Sequence, residues 1–184
     1  GMQALERKYP TKPMIPGFIE KQEFEYIRQG TQCLFANFEV ATGQILAPTF
    51  NATRTEVDFA AHIAQTVALD PAGQWIFILD NLNTHQSETL VRWVAETCDL
   101  DNELGVKEKS GILHTMKSRA AFLADPSHRI RFVYTPVHAS WLNQVEIWFS
   151  ILVRRCLKRG NFASLEEQKQ RILAFIAFFN ATLD

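Results

Sequence analysis

The chain has 184 residues, 47% of them hydrophobic, enough for one domain with a substantial core and too apolar for global disorder. Its formal net charge is -1, so contact with nucleic acid must come from a local basic patch and not from an overall cationic surface. No apolar run approaches the ~18 residues of a membrane span. Cys33, Cys98 and Cys156 are scattered singly, without metal-ligand spacing or a disulfide framework, which suits a reducing cytoplasm.

Residues 1–30 read as a charged arm, in which Pro10, Pro13 and Pro16 oppose regular structure. Arg7, Lys8 and Lys12 are either phosphate contacts or a solvated face. Residues 31–184 read as one α/β domain. Thr31 to Val40 and Gln44 to Phe50 flank a Thr42-Gly43 turn, predicting a β-hairpin. Thr55 with Asp58 three residues on predicts a capped helix whose core face is Ala60, Ile63, Ala64, Val67 and Ala68, ended by Pro71 and Gly73. Trp75 to Leu79 is a continuous apolar run, predicting a short strand buried on both faces. Ser87 to Glu96 predicts a short helix with Leu90, Val91 and Val94 inside. Residues 97–128 carry Asp99, Asp101, Glu103, Lys107, Glu108 and Lys109, the mark of a solvated loop, with helical turns over Ser118 to Ala124. Residues 130–134 predict a last strand. A long helix from about Asn143 to Lys158 follows, with the stripe Leu142, Val145, Phe149, Leu152, Val153 and Cys156 buried. Ser164 opens the final helix, with Ile172, Phe175, Ile176 and Phe179 inside. Hairpin, helix, strand, helix, strand, helix, helix is the pattern of an α/β fold with a mixed sheet.

Chemistry-bearing residues gather at two places in this order. Asp80, Asn81 and His85 follow the carboxyl end of the Trp75–Leu79 strand, where α/β sheets collect ligands. Asp80 and Asn81 are also ordinary turn residues. Glu146 stands three residues after Asn143, a good helix N-cap. It is therefore either the acid of a capping box or a carboxylate aimed at Asp80 across the sheet edge. Arg154, Arg155, Lys158 and Arg159 crowd one helix end, where cations suit the helix dipole and would also meet phosphates.

The two stretches, Leu79-Asp80-Asn81-Leu82-Asn83-Thr84-His85 and Val137 to Leu152, resemble the second and third acidic motifs of the DDE transposase catalytic domain. The resemblance is closest to the bacterial insertion-sequence group related to mariner elements. Asp80, Asn81 and His85 match the first motif; Pro136, His138, Ser140, Leu142, Asn143 and Glu146 match the second. Trp141 and Gln144 stand where the family has prolines. Asp80 and Glu146, 66 positions apart, are more widely spaced than in the mariner-like pattern, so residues 97–128 read as an insertion. The resemblance implies a ribonuclease-H-like mixed sheet flanked by helices. It implies Asp80 and Glu146 as catalytic, metal-binding acids, with Asn81, His85, His138 and Asn143 in support. His85 would hold a phosphate or orient Asp80; the plainer alternative is a surface helix cap. The reaction would be DNA strand cleavage and transfer, on transposon ends and target, in the bacterial cytoplasm at the nucleoid. Two Mg²⁺ (or Mn²⁺) ions roughly 3.5–4 Å apart serve such chemistry, and they need several converging carboxylates.

The family's first Asp lies on a strand before the hairpin. Here the first acid is Glu6 and the first Asp is Asp58, at a helix opening. The expectation is a chain that begins after that central strand and cleaves DNA poorly or not at all. Its sheet would keep a seam filled by another segment, for example from a second copy of the chain. The domain that recognises transposon ends would be missing too, leaving weak sequence-specific binding. Two other readings stay open: a decayed or domesticated remnant that binds DNA or a partner without catalysis, and another ribonuclease-H-like nuclease.

Overall fold

A computed structural model describes residues 1–8, 25–136, 144–158 and 160–183. Strands β1 (Met2–Arg7), β2 (Tyr26–Phe38) and β3 (Ile45–Asn51) form an antiparallel sheet in that order, and β4 (Trp75–Leu79) pairs in parallel with β5 (Ile130–Tyr134). The helices are α1 (Glu56–Val67), α2 (Glu88–Thr97), α3 (Met116–Leu123), α4 (Gln144–Leu152) and α5 (Leu165–Ala181). The fold is mixed α/β.

β1 corrects the sequence expectation of an arm without regular structure. Met, Gln, Ala, Leu, Glu and Arg are all good helix formers, so nothing local announces a strand. Pairing with β2 imposes it, and Ala4 is fully buried. β2 likewise starts at Tyr26, not Thr31. Pro10, Pro13, Pro16 and Lys12 lie outside the described residues. Each antiparallel ladder carries a bulge. Between the pairs Gln3–Thr31 and Leu5–Arg28, β2 has one residue more than β1, and Gly30 there takes φ +122°. Between Phe35–Thr49 and Asn37–Leu46 the extra residue is in β3, beside Ala47 at φ 42° and Pro48. A bulge is one of the few places a strand accepts proline.

Two cores follow from the two faces of β2. Phe35 turns toward α1 and joins the core of Phe59, Ile63, Val91, Leu123 and Phe132 beneath β4 and β5. Leu34, Ala36 and Phe38 turn the other way, toward Ile45 of β3, Trp148 and Leu152 of α4, and Ile172 and Ile176 of α5. Full burial of each such side chain is worth roughly 1.5–3 kcal/mol. Gln168 ties the ends of the chain together: its Nε2 donates to the Gln3 carbonyl at 2.9 Å, and its Oε1 accepts from Gln32 Nε2 at 2.9 Å. Phe162 N also donates to the Leu5 carbonyl at 2.9 Å.

Helix starts follow the predicted caps. Thr55 and Asp58 form a reciprocal capping box, and Ser87 Oγ accepts from Leu90 N. Ser164 Oγ accepts from Glu167 N, while the Glu167 carboxylate reaches Ala163 N and not the cap residue itself.

Four expectations change. β4 is buried on one face only: Phe77 is inside, but Ile76 is 56% and Ile78 48% exposed. The reason is that α4 and α5 pack over β2 and β3, leaving that face of β4 and β5 bare among the described residues. Residues 97–128 are not merely a solvated loop. Leu113 is fully buried, Leu100, Leu104 and Ile112 pack on the first core, and α3 spans Met116–Leu123 behind a Thr115 cap. On α1 the buried face includes His62 and Thr66, not Ala64. The helix after Gln144 turns into a π-helical turn at Val153–Leu157, where Lys158 N donates to the Val153 carbonyl at 2.8 Å. Trp148 and Leu152 are its buried residues, and Val153 is exposed. Leu142 lies outside the described residues.

Candidate active site

Asp80 is the residue immediately after β4, in register beyond Leu79, which pairs with Tyr134 of β5. The parallel pairing brings Thr135 alongside: its carbonyl accepts from Asn81 Nδ2 at 2.6 Å, so Asn81 pins the strand exit to β5. Gln86, buried, donates to Asn81 Oδ1 at 3.3 Å. The chain then makes a 3₁₀ turn at Asn83–Gln86 that carries His85 back over Asp80.

His85 Nδ1 lies 2.7 Å from Asp80 Oδ1, with side-chain exposures of 15% and 38%. That contact requires a proton on Nδ1, which orients the ring and leaves Nε2 as the outward nitrogen. Three further contacts hold the arrangement. The ring packs on Phe59 at 4.3 Å between centroids. The Tyr134 hydroxyl donates to the His85 carbonyl at 2.9 Å. Arg119, buried, donates through Nε to the Gln86 carbonyl at 2.7 Å and through Nη1 to the Leu113 carbonyl at 3.0 Å. Burial pushes the Tyr134 phenol above its ordinary pKa, so it remains a donor. A half-buried ring fixed in this way is not a surface helix cap.

Glu146 is exposed in the first turn of α4. No hydrogen bond or ion pair joins it to Asp80, and among the described residues no three His, Cys, Asp or Glu side chains form a group able to hold a metal ion. Asp80 supplies the hard oxygen that Mg²⁺ prefers, but a single carboxylate already engaged by His85 does not fit a two-ion site. His138 and Asn143, in the segment that leads into α4, lie outside the described residues, as does Arg159. Arg154, Arg155 and Lys158 are exposed. Arg154 Nε donates to the Ser150 carbonyl at 3.3 Å, and neither arginine meets a carboxylate among the described residues.

Tyr134, Gln86, Phe59 and Arg119 were not legible as site residues. Only Tyr134 carried a signal, as the last residue of the strand that a parallel pairing sets beside Leu79.

The carboxyl end of a parallel strand is where α/β folds collect ligands, and Asp80, held by His85 from the following turn, stands at one. The chain matches the family described as DDE superfamily endonuclease over residues 4–169, and it belongs to that family. The match covers β2 to β5 and most of β1, and it takes in Asp80 and Glu146. Enzymes of this superfamily act on DNA and generally use divalent metals. Neither a curated protein nor a solved structure matches the chain.

Proposed function

We propose that the chain is the catalytic portion of a transposase of the insertion-sequence group related to mariner elements, with a ribonuclease-H-like fold and DNA as substrate, working in the bacterial cytoplasm. Asp80 and Glu146 are its acids, Asn81, His85, His138 and Asn143 support them, and Arg154, Arg155, Lys158 and Arg159 meet phosphates. The observation that carries this reading is the Asp80–His85 pair at the β4 exit, within a chain that matches an endonuclease family along most of its length. By itself the chain cleaves DNA poorly, because among the described residues Asp80 alone brings a carboxylate to that exit, and one cannot offset the two divalent ions such a reaction uses.

Nicking of supercoiled plasmid with Mg²⁺ or Mn²⁺ tests both parts. Slow or absent nicking is expected, with at most weak Mn²⁺ binding that Asp80→Ala removes. Rapid nicking lost in Asp80→Ala would overturn the inactivity and keep the site. Rapid nicking unchanged in Asp80→Ala would overturn the site. That no acid group forms among the described residues favours a second reading, a remnant that binds DNA without catalysis. Salt-sensitive DNA binding without any Mn²⁺ binding would support that reading instead. A preference for RNA–DNA hybrids in a substrate panel would point to a different nuclease.

A further inference from the structure

Helix α4 with its π-helical turn, and helix α5, face each other across a groove of about 420 Å³, within the roughly 300–1,000 Å³ of clefts that hold a small ligand. One wall is Ile151, Arg154 and Arg155; the other is Phe175, Phe178, Phe179 and Thr182. These are i, i+3, i+4 stripes, so each helix lends one continuous face. The π-helical turn begins at Val153 and sets where Arg154 and Arg155 leave the helix; such turns recur at functional sites. Phe175 and Phe179 are anchored against Trp148, at 6.5 and 6.3 Å between centroids. Phe178 is different: it is 62% exposed and packs in neither core. The groove thus offers a bare aromatic face beside two guanidinium groups that meet no carboxylate among the described residues.

We propose that this groove binds single-stranded nucleic acid, with a base stacked on Phe178 and its flanking phosphates held by Arg154 and Arg155. The inference rests on the reading of the chain as a DNA-acting protein. The charge selects an anion, and the exposed ring selects one with a flat apolar face. A base within a duplex has both faces covered by its neighbours, so an unpaired strand is the occupant that uses every wall. It makes Arg154 and Arg155 part of a stacking site and not only a cationic helix end.

Fluorescence anisotropy on the full chain tests it, in EDTA so that cleavage plays no part. The probes are a labelled twelve-nucleotide oligo-dT and a labelled twelve-base-pair duplex. Phe178→Ala is expected to weaken oligo-dT binding about tenfold and leave duplex binding unchanged, while Phe178→Trp retains it. Arg154→Ala and Arg155→Ala are each expected to lower the slope of log K against log salt by about 0.7 on oligo-dT. Phe178 faces solvent, and matching thermal melts of the variants show that the fold is intact. Equal losses on both probes, or none, would overturn the inference and leave the Asp80 reading standing. Displacement of oligo-dT by polyglutamate at equal charge concentration would overturn it in favour of an acidic peptide. Binding of neither probe would overturn it together with DNA as the partner.

Discussion

His62 shows how one buried side chain ties stability to pH. It is 3% exposed and stacks on Phe35 at 5.5 Å between centroids. Its Nε2–H donates to Asn37 Oδ1 at 3.2 Å, and its Nδ1 accepts from Thr49 Oγ1 at 2.9 Å, the partners of a neutral ring. Burial pushes its pKa down from 6.5 to about 4. The unfolded chain therefore binds a proton between those values that the folded chain refuses. Stability contributed by neutral His62 is complete above pH 6.5 and is lost as pH falls from about 6.5 to about 4, on the order of 3 kcal/mol in all. Urea midpoints measured from pH 7 to pH 4.5 are expected to fall, and the fall should be smaller in His62→Gln. Nothing in the sequence marked His62, because an apolar stripe drawn through Ala60, Ile63 and Ala64 misses a polar residue that satisfies itself inside.

Among the elements, those governed by local chemistry were the legible ones. The Thr55 and Ser87 caps, the Thr42-Gly43 turn and the β4 run each follow from a few adjacent residues. β1, the one-sided exposure of β4 and the π-helical turn depend on partners far along the chain, and no window of sequence contains them. Two element-scale predictions follow from geometry. Gly30 sits at a bulge with φ +122°, and a Cβ there would lie 3.0 Å from the Leu165 side chain. Gly30→Ala should cost roughly 1–3 kcal/mol, read as a lower urea midpoint, because both the backbone and α5 resist it. Arg119 fastens the 3₁₀ turn that carries His85 through two carbonyl contacts. Arg119→Met should destabilise by about 1.5–3 kcal/mol and broaden the His85 ring resonances in NMR spectra. A lowered midpoint with unchanged resonances would show that the turn holds without it.

At the scale of the molecule, the two sheets do not hydrogen-bond to each other among the described residues. Among the described residues the edge of β2 opposite β3 has no partner from Cys33 to Phe38, and Ile76, Ile78 and Val133 lie exposed on β4 and β5. Met2 pairs with Gln32, so a strand continuing the line of β1 would run beside that edge. We propose that a second copy of the chain fills this seam, covering backbone groups and apolar surface together. Light scattering should then give about 42 kDa, twice 21.0 kDa, and Ile78→Lys should shift it toward the single-chain mass. A single-chain mass for the unaltered protein would reject the pairing. The mixed α/β class was legible from element order alone. The division into two separate sheets was not, because it depends on which helices settle over which strands.

The Gln3–Gln32–Gln168 link has a consequence for biosynthesis. The carbonyl of Gln3 and the amide that satisfies it, on α5, lie 165 positions apart in the chain. At ~5–20 residues per second, the ribosome needs roughly ten to thirty seconds to travel from one to the other. During that interval the hairpin side of the nascent chain waits with its apolar face uncovered. Such transiently exposed apolar surface is what chaperones cover in general, and a translational pause ahead of Leu165 would lengthen the wait.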